Sequence, residues 1–212
     1  MSTNPTDTHR KTETNGSFGF LRQLLREPRA VGQCDLCGRD LIPDHEHLLS
    51  LPNRILHCSC HVCALLAPQS QDTRYRRIPH DVRFLPEFKM SEAQWDRFQI
   101  PINLAFFFHD SATGKVSAGY PSPAGLIESV AGQEAWESIV VDHPELAAME
   151  PDVEAFLVNR RGTEPEYFVL PVDHCYRLIG LMRSSWQGLS GGMDVQTMIE
   201  AFLSRLKGHV HA

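Results

Sequence analysis

Cysteines carry the clearest chemistry in this chain. Cys34-Asp35-Leu36-Cys37-Gly38 is a C-x-x-C-G turn, and Cys60-His61-Val62-Cys63 is a second C-x-x-C, with 22 residues between the pairs. Two thiolates spaced in this way curl round one ion while backbone N–H groups point at the sulfurs, and a glycine after the second sulfur lets the chain turn away. Between the pairs, His45 to Ser50 and Arg54 to Cys58 read as two short strands about a Pro52-Asn53 turn. Cys60 and Cys63 then lead into Ala64-Leu65-Leu66, the start of a helix whose free N–H groups suit thiolates. A knuckle, a hairpin and a C-x-x-C at a helix start is the order of a treble-clef finger. Cys34, Cys37, Cys60 and Cys63 are therefore the expected metal ligands.

Three further residues stand close to this set. Cys58 lies two positions before Cys60, and strand alternation would put both on one face, so it is a substitute ligand or a ligand to a second ion. His45 and His47 share a face for the same reason. They are expected to hydrogen-bond thiolates, to ligate a second ion, or to face solvent. Tetrahedral thiolate ligation fits Zn²⁺, which the hairpin and helix favour; a rubredoxin-like iron centre or an iron–sulfur cluster is the alternative. His57 and His61 read as exposed or as supporting groups, and His209-Val210-His211 has no role.

Nothing elsewhere obliges an enzyme. Cys175 follows Asp173 and His174, but neighbours on a helix point about 100° apart and cannot form a triad among themselves. Cys175 instead falls on an apolar stripe with Leu178, Ile179 and Met182. Gly188 to Gly192 lacks the lysine and spacing of a P-loop and reads as a turn between helices. Glu128, Glu134, Glu137, Asp142 and Glu145 read as a solvated acidic face.

The elements that must hold these residues follow from pattern. Residues 1–16 are polar and read as a disordered tail, and Phe18 to Glu27 as a short helix ended by Pro28. A metal module closes the segment 17–67, a linker spans 68–90, and an α+β domain with an antiparallel sheet covers 91–208. Arg74, Arg76, Arg77 and Arg83 punctuate the linker. In the domain, Ser91 and Gln94 form a capping box ahead of Trp95 and Phe98. Ile102–His109 and Lys115–Tyr120 make a hairpin, and helix is expected over about 124–141. Asp152–Asn159 and Glu166–Leu170 make a second hairpin, and two helices follow, over 174–186 and from Asp194 to Leu206.

Composition bounds the class. The chain has 212 residues, is 42% hydrophobic and 22% charged, and carries six cysteines and a formal charge of −6. It is long enough to bury a core without disulfides, and its acidity argues against binding a nucleic-acid backbone. No run of apolar residues is long enough to span a bilayer. Clustered cysteines without a secretory signal point to metal ligation in a reducing cytoplasm.

The motifs CDLCG, HEHLL, CSCHVCALL, RFLPEF, IPINLAFFF, YPSPAG, EPDVEAFLVNR and CYRLIGLMRSSWQGLSGG, in this order over about residues 30–206, resemble an uncharacterised bacterial family. Its members are encoded beside actinobacterial-type, high-affinity nickel–iron hydrogenases. The chain departs from it at Ala67, where an aromatic is expected. The resemblance lends emphasis to Cys34, Cys37, His47, Cys58, Cys60 and Cys63, and to Trp186, Gly188, Ser190, Gly191 and Gly192 as a partner-binding loop. It implies a cytoplasmic accessory protein for assembly or protection of the hydrogenase, contacting a hydrogenase subunit or another accessory factor. An iron–thiolate electron carrier and a zinc-dependent nucleic-acid-binding regulator are the alternatives.

Overall fold

The computed structural model describes residues 32–69, 74–122, 125–185 and 192–210. The tail and first helix expected before residue 28 lie outside them.

Leu48 and Leu49 bring the first strand into the core, and Pro52-Asn53 reverse the chain. The Asn53 side chain accepts from the Ile55 N–H at 3.2 Å, and Arg54 takes the left-handed φ of 51° that closes the turn. β1 (Glu46–Ser50) and β2 (Ile55–Ser59) thus form an antiparallel hairpin, and α1 (His61–Leu66) follows directly. β3 (Tyr75–Arg77) adds to the open edge of β1, giving the order β2-β1-β3.

A second, six-stranded sheet organises the rest. Its strands are β4 (Arg83–Phe84), β5 (Leu104–Asp110), β6 (Lys115–Ser122), β7 (Gly125–Val130), β8 (Glu154–Asn159) and β9 (Glu166–Pro171). All pairings are antiparallel, in the order β4-β9-β8-β5-β6-β7. Central β5 is buried on both faces. Leu104, Phe106 and Phe108 pack with α4 (Val172–Ser185) and α5 (Gly192–Val210). Ala105 and Phe107 point the other way, to Trp95 of α2 (Glu92–Asp96) and Trp136 of α3 (Gln133–Asp142). Burying a phenylalanine contributes about 1.5–3 kcal/mol, so this double-sided strand outweighs any single surface ion pair. The result is mixed helix and antiparallel sheet, as the interleaved hairpins and helices predict, with helices on both faces of the second sheet.

The capping box at Ser91 and Gln94 is present, with the Gln94 N–H donating to Ser91 Oγ at 3.2 Å. Two readings change. The helix expected over 124–141 begins only at Gln133; Gly125–Val130 is β7, which pairs along β6 from Ser122↔Gly125 to Ser117↔Val130. Ile127 and Val130 are β-branched and favour extended chain, a signal that a helical window averages away. The segment 68–90, expected as a linker, contributes β3 to one sheet and β4 to the other. Three of its arginines face carboxylates: Arg77 meets Glu46 through two N–H donors, Arg76 meets Asp152 at 3.2 Å, and Arg83 meets Glu154 at 3.0 Å.

The hairpin is pinned to the second sheet. Arg54 reaches from the turn over the Phe108 ring (4.2 Å to its centroid), donates to the Tyr176 hydroxyl at 3.0 Å and approaches Asp152 at 3.5 Å. Leu49 of β1 and Ile78, just after β3, belong to the same core cluster as α4. No helix among the described residues is long and apolar enough to cross a membrane.

Candidate metal centre

Cys34 and Cys37 sit on a tight turn in which the Gly38 N–H donates to the Cys34 carbonyl at 2.8 Å. Gly38 takes φ 72°, which glycine adopts without a Cβ penalty. Asp35 locks this turn to β2: its N–H donates to the Cys58 carbonyl at 2.9 Å, and its carboxylate accepts from the Cys58 N–H at 2.9 Å. Cys60 is the N-cap of α1 and Cys63 lies in its first turn. The four sulfurs lie within 4.8 Å of one another, and Cys37 and Cys60 are 3.8 Å apart.

The spacing fits one ion. A tetrahedral ion with metal–sulfur bonds of about 2.3 Å separates its sulfurs by about 3.8 Å. The surrounding backbone favours thiolates. Burial pushes the Cys34 thiol up, but the N–H groups of Cys60, Cys37 and Leu36 point at it and bring it down to about 6. Cys60 is lowered chiefly by the Cys63 N–H. Burial, reinforced by the Cys37, Cys60 and Cys34 sulfurs, pushes Cys63 up to about 12. A cation among the four sulfurs relieves that crowding by replacing their protons.

Cys58 does not join this set. Strand alternation predicted Cys58 and Cys60 on one face, but β2 ends at Ser59 and Cys60 already belongs to the helix start. Cys58 pairs across the hairpin with His47, and its Sγ lies with His45 and His47 in a second group, all within 4.8 Å of one another. The His47 Nδ1–H donates to Asp173 Oδ2 at 2.8 Å, and the His45 Nδ1–H donates to the Ile42 carbonyl at 3.0 Å. Burial pushes His47 down, but the Asp173 carboxylate and Cys58 hold it up, to about 9. Asp173 is itself lowered: His47 and His174 outweigh its burial.

His57 and His61 stand outside both groups, His57 3.7 Å from Asp35 and His61 3.0 Å from Glu46. Cys175 is 1% exposed, a core thiol pushed well up by burial. Trp186, Gly188, Ser190 and Gly191 lie outside the described residues, and Gly192 opens α5. The residue that the sequence does not single out for the histidine group is Asp173, which stands there only as a neighbour of Cys175. Its partner His47 is 126 positions away, and no local pattern connects the two.

A family model described as a family of unknown function, DUF5947, matches residues 33–210, taking in both C-x-x-C pairs and both C-terminal helices. No curated protein and no solved structure matches.

Proposed function

The chain belongs to the DUF5947 family of unknown function, and from that premise we propose that it is a metal-binding accessory protein that acts through protein–protein contacts. The observation that carries this reading is the convergence of Cys34, Cys37, Cys60 and Cys63 within 4.8 Å. Four protein sulfurs complete a tetrahedron and leave no position for substrate, the arrangement of a structural zinc site. On this reading Zn²⁺ orders the turn, hairpin and α1 as a treble-clef finger. The bound ion supplies folding free energy and no reaction.

Contact with a partner is supported by what the module exposes. Leu36, Ile42, Val62, Leu65 and Leu66 are exposed large apolar side chains, all between residues 36 and 66. Ile42 and Leu66 are the most open of these five, 69% and 61% exposed. The proposed partner is a subunit of a nickel–iron hydrogenase or another of its accessory proteins, during assembly or protection of the enzyme in the cytoplasm. That part rests on the family resemblance of the sequence motifs.

Anaerobic purification with metal analysis and a visible spectrum is the first test. About one zinc per four-cysteine cluster and no colour supports the structural finger. Iron with thiolate charge-transfer absorption that bleaches on reduction makes the protein an electron carrier instead. Capture with hydrogenase subunits tests the partner. It should weaken when Val62 and Leu66 are both replaced by serine, with metal content unchanged; capture indifferent to that change removes the apolar surface from the proposal.

A further inference from the structure

The second group, formed by His45 just before β1, His47 on β1 and Cys58 on β2, is built like a metal site in its own right. Cys58 and His47 are directly paired across β1 and β2, so their side chains leave the same face of the hairpin. His45 is two positions before His47 and its ring lies edge-on to the His47 ring, with centroids 5.0 Å apart. Both imidazoles are oriented from behind. Carboxylates and carbonyls only accept hydrogen bonds, so the Asp173 and Ile42 contacts fix the proton of each ring on Nδ1. The ring nitrogen left to face an ion is then Nε2 in each, and at His47 the ion has to displace the proton that the Asp173 carboxylate favours. A histidine whose Nδ1–H is held by a carboxylate or carbonyl while Nε2 faces an ion is the recurrent support of metal ligands.

His45 separates this arrangement from a plain structural contact. An ion pair between His47 and Asp173 would pin the hairpin to α4 without any help from His45. Yet His45 Nε2 is buried and has no hydrogen-bond partner among the described residues. An orphaned buried nitrogen is costly to leave unpaired, and coordination removes that cost. The Cys58 sulfur meanwhile lies within 4.8 Å of a ring nitrogen of each histidine, close enough for one ion to be shared among the three.

We infer that Cys58 Sγ, His45 Nε2 and His47 Nε2 bind a second metal ion, a divalent first-row transition ion, through three protein ligands with one position open. The donor set selects the class. One thiolate and two imidazoles suit Zn²⁺, Co²⁺, Ni²⁺ or Cu²⁺, whereas Mg²⁺ and Ca²⁺ want oxygen donors. Three ligands instead of four also distinguish it from the cysteine site. A closed tetrahedron holds structure, while an open position admits water or another small ligand. The module would then carry one ion for folding and one accessible to exchange or chemistry.

The test is a Co²⁺ titration of the full, metal-stripped, reduced chain, read by absorption and by metal analysis after desalting. Wild-type protein should take up two equivalents with two distinct spectra. His45→Gln and Cys58→Ser should each fall to one equivalent, losing the same spectral component and retaining the four-sulfur component. Azide should perturb only the component lost in His45→Gln. Cys60→Ser should lose the other component. Uptake of one equivalent by wild type, with a spectrum unchanged in both His45→Gln and Cys58→Ser, overturns the inference and leaves the four-cysteine site standing. One equivalent lost in His45→Gln and kept in Cys60→Ser would do the reverse, removing the four-cysteine site and upholding this one. His45→Gln keeps the hairpin testable, because its ring meets the loop carbonyl of Ile42 and the His47 ring, while the tie to the second sheet runs through His47. A His45→Gln chain that is folded by circular dichroism and still binds two equivalents also overturns the assignment.

Discussion

Cys58 and Cys60 are two positions apart and serve different clusters, so substituting each by serine separates the two. Cys60→Ser removes one of four sulfurs from a site whose ligation free energy is folding free energy. In isolated fingers that total is on the order of 10 kcal/mol. Metal should be lost from the four-cysteine site and amide exchange should accelerate across residues 34–66. Cys58→Ser should leave both unchanged at that site. Equal loss in the two variants would mean that the sulfurs act as one five-cysteine group. Glu46 makes a second prediction at this scale. Arg77, with His61 and His80, outweighs the burial of its carboxyl and holds it at about 2, below the usual value of 4.5. A carboxylate depressed by folding contributes stability above the unfolded pKa and loses it as pH falls from there toward the folded one. Wild type should therefore lose stability relative to Glu46→Gln between pH 4.5 and about 2. Because its partners are partly exposed and screened, the difference should be about 1–2 kcal/mol. Both chains keep the same cysteines, so the difference between their pH-dependent melts cancels any acid release of metal.

Gly119 shows how a single position fixes the register of the central sheet. It pairs with Phe106 across β5 and β6, and a Cβ placed there would lie 2.4 Å from the Phe106 ring. Gly119→Ala should cost about 1–3 kcal/mol through overpacking, seen as a lowered Tm. An unchanged Tm would mean that the Phe106 ring moves freely, at odds with its burial between β6 and α4. The strands were legible for the same physical reason that makes this glycine critical. Ile102–His109 is rich in aromatic and β-branched residues bounded by turn formers, and it appears as β5 with a shift of two residues at its start. The cysteine knuckle was legible because its spacing is local. What sequence could not deliver was pairing across distance. β7 depends on lying beside β6, the segment 68–90 becomes strand only because β1 and β9 offer open edges, and Asp173 reaches His47 from α4. Each of those is decided by a neighbour far away in the chain, where local periodicity carries no signal.

The whole molecule joins the metal module to the second sheet more tightly than the order of its segments suggests. Leu49 and Ile78 sit in the core cluster of α4 and α5, Arg54 spans to Tyr176 and Asp152, and His47 spans to Asp173. Order supplied by an ion at the four cysteines should therefore travel past residue 66. The path is short: the Cys34 turn holds β2 through Asp35, β2 holds β1 by full antiparallel pairing, and β1 carries His47 to the first turn of α4. Chelation of the full chain under reducing conditions should accelerate hydrogen exchange in β1, β2 and α1, and to a smaller degree at the start of α4. Helices α2 and α3, which pack on the other face of the second sheet through Trp95 and Trp136, should be unaffected. Exchange confined to residues 34–66 would mean that the second sheet holds the hairpin's contacts without help from the ion. Exchange rising equally through α2 and α3 would mean that the chain unfolds as one unit when the ion leaves. The graded pattern is expected because the seam is crossed by a limited set of contacts, among them Arg54 and Arg76, the His47–Asp173 pair, and the apolar Leu49 and Ile78.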